Sequence, residues 1–139
     1  LRLGDEAEAV RQYLEVMRLR LGERLRYSIA VDERAAEVQV PPGLLLTLTE
    51  NAVEHGVQPS LSGAEVAIEV QATATTVRIV VRDTGPGLAP GVAEGVGLAN
   101  TRARLAQTYG PAATLSLRTP DTGGCEARIE LPLQGPAST

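Results

Sequence analysis

One segment, T-E-N-A-V-E-H-G at residues 49–56, concentrates side chains that could bind a ligand or act on it. It carries Glu50, Asn51, Glu54 and His55, and this histidine is the only one in the chain. An amide oxygen beside carboxylates can ligate a hard cation such as Mg²⁺, whose remaining positions go to water and phosphate. The segment therefore indicates a site for a metal ion and a phosphorylated ligand.

These side chains form one polar strip when residues 44–56 are arranged as an α-helix. Thr47 lies in the strip with Asn51 and both glutamates, and His55 borders it. A solvated face is the common explanation of such a strip. Here the rest of the helix is apolar over a wide arc, and asparagine is a weak helix former. The strip is thus also compatible with a largely buried helix that faces a cavity.

A second candidate site follows V-R-I-V-V-R, an apolar segment that predicts a β-strand. Asp83 ends this strand, and Gly85 and Gly87 follow it. A carboxylate held there can accept a hydrogen bond from a ligand amine, and the glycines allow the backbone to approach a flat ring. The alternative is an ordinary turn after a strand, where Asp, Pro and Gly are common.

The third segment, G-V-G-L-A-N-T-R-A-R-L, leads into a predicted helix. Gly95 and Gly97 precede that helix, whose free N–H groups and dipole suit a phosphate. Arg102 could approach an anion from the first turns, although solvated arginines are commoner. The order of the three segments is more specific than any one of them.

Composition indicates a single folded domain and argues against some functions. Of the 139 residues, 43% are hydrophobic and 22% charged, as in globular proteins. The net charge of −4 and the 2% aromatic content give no support for nucleic-acid binding. Cys125 is the only cysteine, which excludes an internal disulfide and fits a reducing compartment. Nothing resembles a signal peptide, and no apolar segment approaches the roughly 20 residues that cross a bilayer.

The hydrophobic pattern predicts the elements that position these segments. Helices are predicted over 5–21, from Pro41 to His55 with Gly56 as terminator, and over 98–109. Strands are predicted over 25–31, 65–71, 76–82, 113–118 and 125–131. Residues 83–97 are too long and too rich in glycine and proline for an ordinary turn, so they form a candidate binding loop. The mixture predicts an α+β fold, with one mainly antiparallel sheet and helices on one face.

The three segments resemble the ATP-binding fold that histidine kinases share with gyrase, Hsp90 and MutL. The resemblance spans nearly the whole chain and is closest to sensor histidine kinases of the LytS/YehU type. The segments that carry it are E-A-E-A-V-R-Q-Y-L-E-V-M-R-L-R-L-G-E-R-L, P-P-G-L-L-L-T-L-T-E-N-A-V-E-H-G, G-V-G-L-A-N-T-R-A-R-L and G-G-C-E-A-R-I-E-L-P. It implies a two-layer α/β sandwich (the Bergerat fold) of about five strands and three helices.

The resemblance also implies a role for each candidate residue. Asn51 would ligate the Mg²⁺ that bridges the ATP phosphates, and Glu50 would polarise the attacking group. Asp83 would accept a hydrogen bond from the adenine amine. The other residues expected at the nucleotide are His55, Gly85, Gly87, Leu88, Gly95, Val96, Gly97, Leu98, Asn100 and Arg102.

By the same resemblance, the domain would bind Mg-ATP and donate the γ-phosphoryl group to a histidine on an upstream, dimerising domain. A response regulator would then receive the phosphoryl group. Residues 1–22 are expected to continue from that upstream region, residues 23–133 to form the catalytic domain, and residues 134–139 to form a flexible tail. The domain would be cytoplasmic, on a parent attached to the bacterial inner membrane.

Two departures from the family pattern leave alternatives open. Glu54 stands where relatives often carry a lysine or arginine, and the lid at 88–96 is short, which allows a non-catalytic nucleotide-binding module. Thr47 stands where gyrase-type and Hsp90-type ATPases hold a general base, so hydrolysis is not expected. The same test weakens, without excluding, an anti-sigma-factor-type serine kinase. Asp-Thr-Gly also occurs at 83–85 and 121–123, but the unlike surroundings of the two argue against an aspartic protease.

Overall fold

A computed structural model of the protein describes residues 2–86 and 96–133. The helices are α1 (Leu3–Leu21), α2 (Glu33–Ala36), α3 (Leu44–Ala52) and α4 (Val96–Tyr109). The strands are β1 (Leu25–Val31), β2 (Ala64–Ala72), β3 (Thr76–Asp83), β4 (Thr114–Arg118) and β5 (Cys125–Pro132). No helix in these described ranges is long and apolar enough to cross a membrane.

The five strands form one mixed sheet in the order β1-β2-β3-β5-β4. β1 pairs with β2 in parallel, with Leu25 opposite Ala64. All other neighbours are antiparallel, and β3 places Asp83 opposite Cys125 of β5. This arrangement confirms the predicted α+β class and the mainly antiparallel sheet.

The helices cover the apolar face of this sheet, and the other face is charged. Val77 and Ile79 of β3 are fully buried, in one core with helix residues such as Leu45. Between them in sequence, Arg78 points the other way and pairs with Glu130, with Nε and Oε1 3.2 Å apart. The alternation along β3 is that of a strand with one buried face.

α1 packs against the same core. Its buried side chains include Val10, Leu14 and Met17, spaced for one face of a helix. These residues are covered by this chain's own α3 and β1, which α1 contacts. The predicted helix is confirmed and begins two residues earlier; its continuation upstream stays a prediction.

The predicted end of α3 is wrong. The α-helix ends at Ala52 and is followed by one wider π-helical turn, Val53–Val57, so the chain passes through Gly56 instead of stopping there. Gly56 is not among the glycines with positive φ, which is the conformation that glycine terminators adopt. Its role is a close approach to Asp83. The structure also adds the short α2, capped by Asp32, which accepts from Arg34 N–H at 2.9 Å.

Candidate functional site

The polar strip of α3 faces the start of α4 across a groove of about 470 Å³. The groove is lined by Thr47, Glu50, Asn51, Glu54, His55, Gly97 and Leu98. Asn51 is half-buried, whereas both glutamates are exposed. The strip therefore lines an open groove, and both glutamates and His55 stay exposed to solvent.

The start of α4 lies close to α3 because the residues there are small or turned inward. A Cβ added at Gly97 would meet Thr47 Cγ2 at 3.4 Å, an ordinary van der Waals distance. Leu98 is 4% exposed, and the buried Thr101 hydroxyl donates to Gly97 O at 2.9 Å. Asn100, in the same turn, is exposed.

Asp83 lies at the end of β3 and is only 7% exposed. Gly85 N–H donates to its Oδ1 at 3.0 Å. Burial raises the pKa of the Asp83 carboxyl, while hydrogen bonds from the Gly85 and Cys125 amides and the charge of His55 oppose the rise. A buried carboxylate held by backbone donors is oriented in advance for a further hydrogen bond.

Three glycines enclose Asp83. A Cβ at Gly56 would overlap Asp83 Cγ and lie 2.5 Å from Oδ1. A Cβ at Gly85 would lie 2.5 Å from Gly56 Cα, and one at Gly124 would lie 2.9 Å from the Asp83 carbonyl carbon. The π-helical turn after α3, the end of β3 and the residue before β5 therefore meet with no room for a side chain.

Gly56 and Gly124 were not among the predicted site residues. Both fall inside segments that carry the family resemblance, H-G at the end of the first and G-G at the start of the last. Tyr13 of α1 was also missed. It is half-buried, and its pKa is raised by burial and by the charges of Glu50 and Glu54 in the polar strip.

Arg102 is the remaining predicted site residue that the structure describes in full. Arg102 donates to Leu115 O of β4, so its guanidinium contacts the backbone of the sheet edge. Gly87, Leu88 and Gly95, with most of the predicted lid, lie outside the described residues, as does the side chain of Val96 and the tail at 134–139.

A metal ion in this groove would have few protein ligands. Among residues 2–86 and 96–133, no group of three or more His, Cys, Asp or Glu side chains could hold one. Mg²⁺ commonly keeps several waters and takes its other ligands from phosphates and one or two side chains. The donor set around Asn51 fits that mode of binding.

The chain resembles known proteins in sequence. Residues 43–135 match the family model described as histidine kinase-, DNA gyrase B-, and HSP90-like ATPase. The sensor histidine kinase YesM of Bacillus subtilis is 29% identical over 135 residues, which is 94% of this chain and 23% of that protein. The sensor histidine kinase YpdA of Escherichia coli is 33% identical over 118 residues, 78% of this chain and 21% of that protein. The chain thus spans less than a quarter of the length of these relatives.

Solved structures show the same fold. The catalytic domain of the histidine kinase ThkA superposes with a TM-score of 0.75 at 18% identity, covering 95% of this chain and 92% of that one. The histidine kinase domain of the blue-light activated histidine kinase of Erythrobacter litoralis gives 0.70 at 21% identity, covering 96% and 62%. At these identities the likeness speaks for the fold alone.

Proposed function

The chain belongs to the family of histidine kinase-, DNA gyrase B- and HSP90-like ATPases, and we propose that it is the ATP-binding catalytic domain of a two-component sensor histidine kinase. One observation carries the proposal: the strip with Asn51 faces the start of α4 across a groove, and a buried, preoriented Asp83 lies beside the π-helical turn that follows α3.

In this proposal Asp83 recognises the base. Its carboxylate, fixed by the Gly85 and Cys125 amides, would accept a hydrogen bond from the adenine amine. Gly85 has no side chain, which leaves room for Gly56 and lets the turn after α3 lie against Asp83. Burial strengthens such a bond because the local dielectric constant is low.

Asn51 and Glu50 would act at the phosphate end. The Asn51 side-chain oxygen is the amide ligand available in the groove for Mg²⁺, and bound Mg²⁺ would supply charge neutralisation for the triphosphate. Glu54 and Glu50 place two negative charges beside that position, so nucleotide binding should depend strongly on the cation. Glu50 would polarise the attacking group.

The reaction would be phosphoryl transfer to a histidine upstream of this chain. A bond would form between an imidazole nitrogen and the γ-phosphorus as the bond to the β–γ bridging oxygen breaks, with ADP as the leaving group. The domain would contribute positioning and charge stabilisation without a covalent intermediate of its own. An aspartate of a response regulator would receive the phosphoryl group afterwards.

The whole protein would be a homodimer through its upstream region, attached to the inner membrane with this domain in the cytoplasm. The relatives YesM and YpdA are sensor histidine kinases, which supports a role in two-component signalling over the serine kinase alternative.

The test is phosphorylation of the chain extended upstream to its histidine, using γ-labelled ATP. The proposal expects label that is lost in acid and stable in base, as phosphohistidine is, with Mg²⁺ required. Asn51→Ala should abolish labelling, and Glu8→Gln, an exposed change on α1, should leave it unchanged. Acid-stable phosphoserine would favour the serine kinase, and absent labelling despite nucleotide binding would favour a non-catalytic module.

A further inference from the structure

Glu6 is a buried charged side chain on the inner face of α1. It is 3% exposed and lies one turn from the fully buried Leu3 and Val10. Its Oε2 accepts from Gly43 N–H and its Oε1 from Leu45 N–H, both at 3.1 Å. Glutamate is almost never fully buried unless its oxygens are paired, so these two bonds explain its place in the core.

The two donors are backbone amides at the start of α3: that of its N-cap, Gly43, and that of its second residue, Leu45. The N-cap of that helix is Gly43, which has φ +83 and offers no side-chain acceptor. The first N–H groups of a helix lack partners within it, and its dipole favours a negative charge at that end. Glu6 therefore caps α3 from a different helix.

Because α3 is short, the position of its first residues determines the position of its last ones. It has nine residues, and Asn51 lies next to the last of them, Ala52. At 1.5 Å per residue the helix behaves as one rigid rod of about two and a half turns. A shift or rotation at Leu45 would therefore displace Asn51 relative to the start of α4.

The linker before α3 (residues 37–43) accepts hydrogen bonds from both α1 and α4. Leu3 N–H of α1 donates to Val38 O at 2.9 Å. From α4, Arg104 Nη1 donates to Pro42 O at 2.6 Å and the Tyr109 hydroxyl donates to Gln39 O at 3.3 Å. Both α1 and the helix on the far wall of the groove thus meet at the start of α3.

We propose that Glu6 is a positioning residue that couples α1 to the nucleotide groove by fixing the start of α3 and, through it, Asn51. The inference rests on the proposed function and adds a route of regulation to it. A movement of α1 that withdraws Glu6 would loosen α3 and weaken Mg-ATP binding. By reciprocity, nucleotide binding would hold α1 in its docked position.

The first test compares Glu6→Gln with Glu8→Gln. Glutamine keeps the length of the side chain but loses the charge, and its NH₂ group would face one of the two amide donors. Glu8 is on the same helix, with a side chain 63% exposed, so its variant is a matched control. Each protein is titrated calorimetrically with a non-hydrolysable ATP analogue, with and without Mg²⁺.

We expect Glu6→Gln to weaken Mg²⁺-dependent binding by about three- to tenfold, because α3 would hold Asn51 correctly for only part of the time. Binding without metal should change little, since Asp83 lies on β3. The control should match the wild type in both titrations. Equal losses with and without Mg²⁺, or no loss, would overturn the inference.

Amide hydrogen exchange on the nucleotide-free proteins gives a second readout that does not depend on ATP binding. Glu6→Gln should raise exchange along α3, including the peptide that contains Asn51, and Glu8→Gln should not. Unchanged exchange in α3 would overturn the inference. A wild-type protein that binds no nucleotide would refute the proposed function, while the exchange comparison still decides on Glu6. If Glu6→Gln does not fold, Glu6→Asp, which keeps the charge on a shorter side chain, is expected to exchange faster than the wild type in the same peptides, and unchanged exchange would overturn the inference.

Discussion

Gly56→Ala is the most direct test of how the structure positions Asp83. The new Cβ would lie 2.5 Å from Asp83 Oδ1 and overlap Cγ. Ordinary contacts between such atoms begin about 1 Å further out, so the carboxyl group would have to move by roughly that distance. A movement of this size would break the 3.0 Å hydrogen bond from Gly85 N–H.

Two destabilising effects and one stabilising effect decide the magnitude. Overpacking costs about 1–3 kcal/mol, and loss of a hydrogen bond to a buried charged group adds about 1.5–3 kcal/mol. The better helix propensity of alanine returns about 1 kcal/mol. The expected net loss of unfolding free energy is about 3 kcal/mol, which lowers Tm by about 10 °C in a domain of this size.

Thermal unfolding followed by circular dichroism measures the effect, with Gly97→Ala as the control. Gly97 is also helical, but its added Cβ would have ordinary contact with Thr47, so Tm should stay equal or rise slightly. Gly56→Ala should also weaken binding of an ATP analogue because Asp83 is displaced. If Gly56→Ala were as stable as Gly97→Ala and bound the analogue like the wild type, the close approach of the π-helical turn to Asp83 would be refuted.

Three further predictions concern the titratable groups Asp83 and Cys125. Asp83→Asn should weaken adenine-nucleotide binding, because the amide can present a donor to the adenine amine; unchanged affinity would remove Asp83 from the site. Burial raises the Asp83 pKa in the folded state, so the protonated carboxyl favours folding and the charged form opposes it. The stability that the protonated form contributes is lost as pH rises from the unfolded-state pKa through the folded-state pKa. Asp83→Asn should therefore lessen that part of the fall in Tm with rising pH, and an identical pH profile would contradict this sign. Burial, with the charges of Asp83 and Glu126, raises the pKa of the Cys125 thiol to about 11; at pH 8 Ellman's reagent should label it slowly in the native protein and fully in urea. Immediate native labelling would contradict its buried, protonated state.

The elements with long periodic patterns were predictable from sequence. α1, β2 and β3 each alternate or repeat apolar residues at one spacing, and their bounds fall within one or two residues of expectation. The end of α3 was not predictable, because Gly56 has the local signature of a helix terminator. Its actual role depends on Asp83, a partner far away in sequence that no local pattern reveals.

The same limit applies to the site. The polar strip of α3 could be derived because its residues share one helix face. The capping role of Glu6 could not be derived from the sequence, because its partners are backbone amides, which almost every residue type provides. The parallel pairing of β1 with β2 is equally hidden, because an alternating strand does not specify its neighbour. Both features arise only when separate segments pack together.

Calorimetric titration decides whether Asn51 and Asp83 belong to one Mg-ATP site. Wild type and Asn51→Ala are each titrated with a non-hydrolysable ATP analogue in the presence and absence of Mg²⁺. We expect saturable binding that Mg²⁺ strengthens in the wild type, and loss of only the Mg²⁺-dependent part in Asn51→Ala. No binding at millimolar nucleotide, or Mg²⁺ dependence that survives the substitution, would show that these residues do not form one Mg-ATP site.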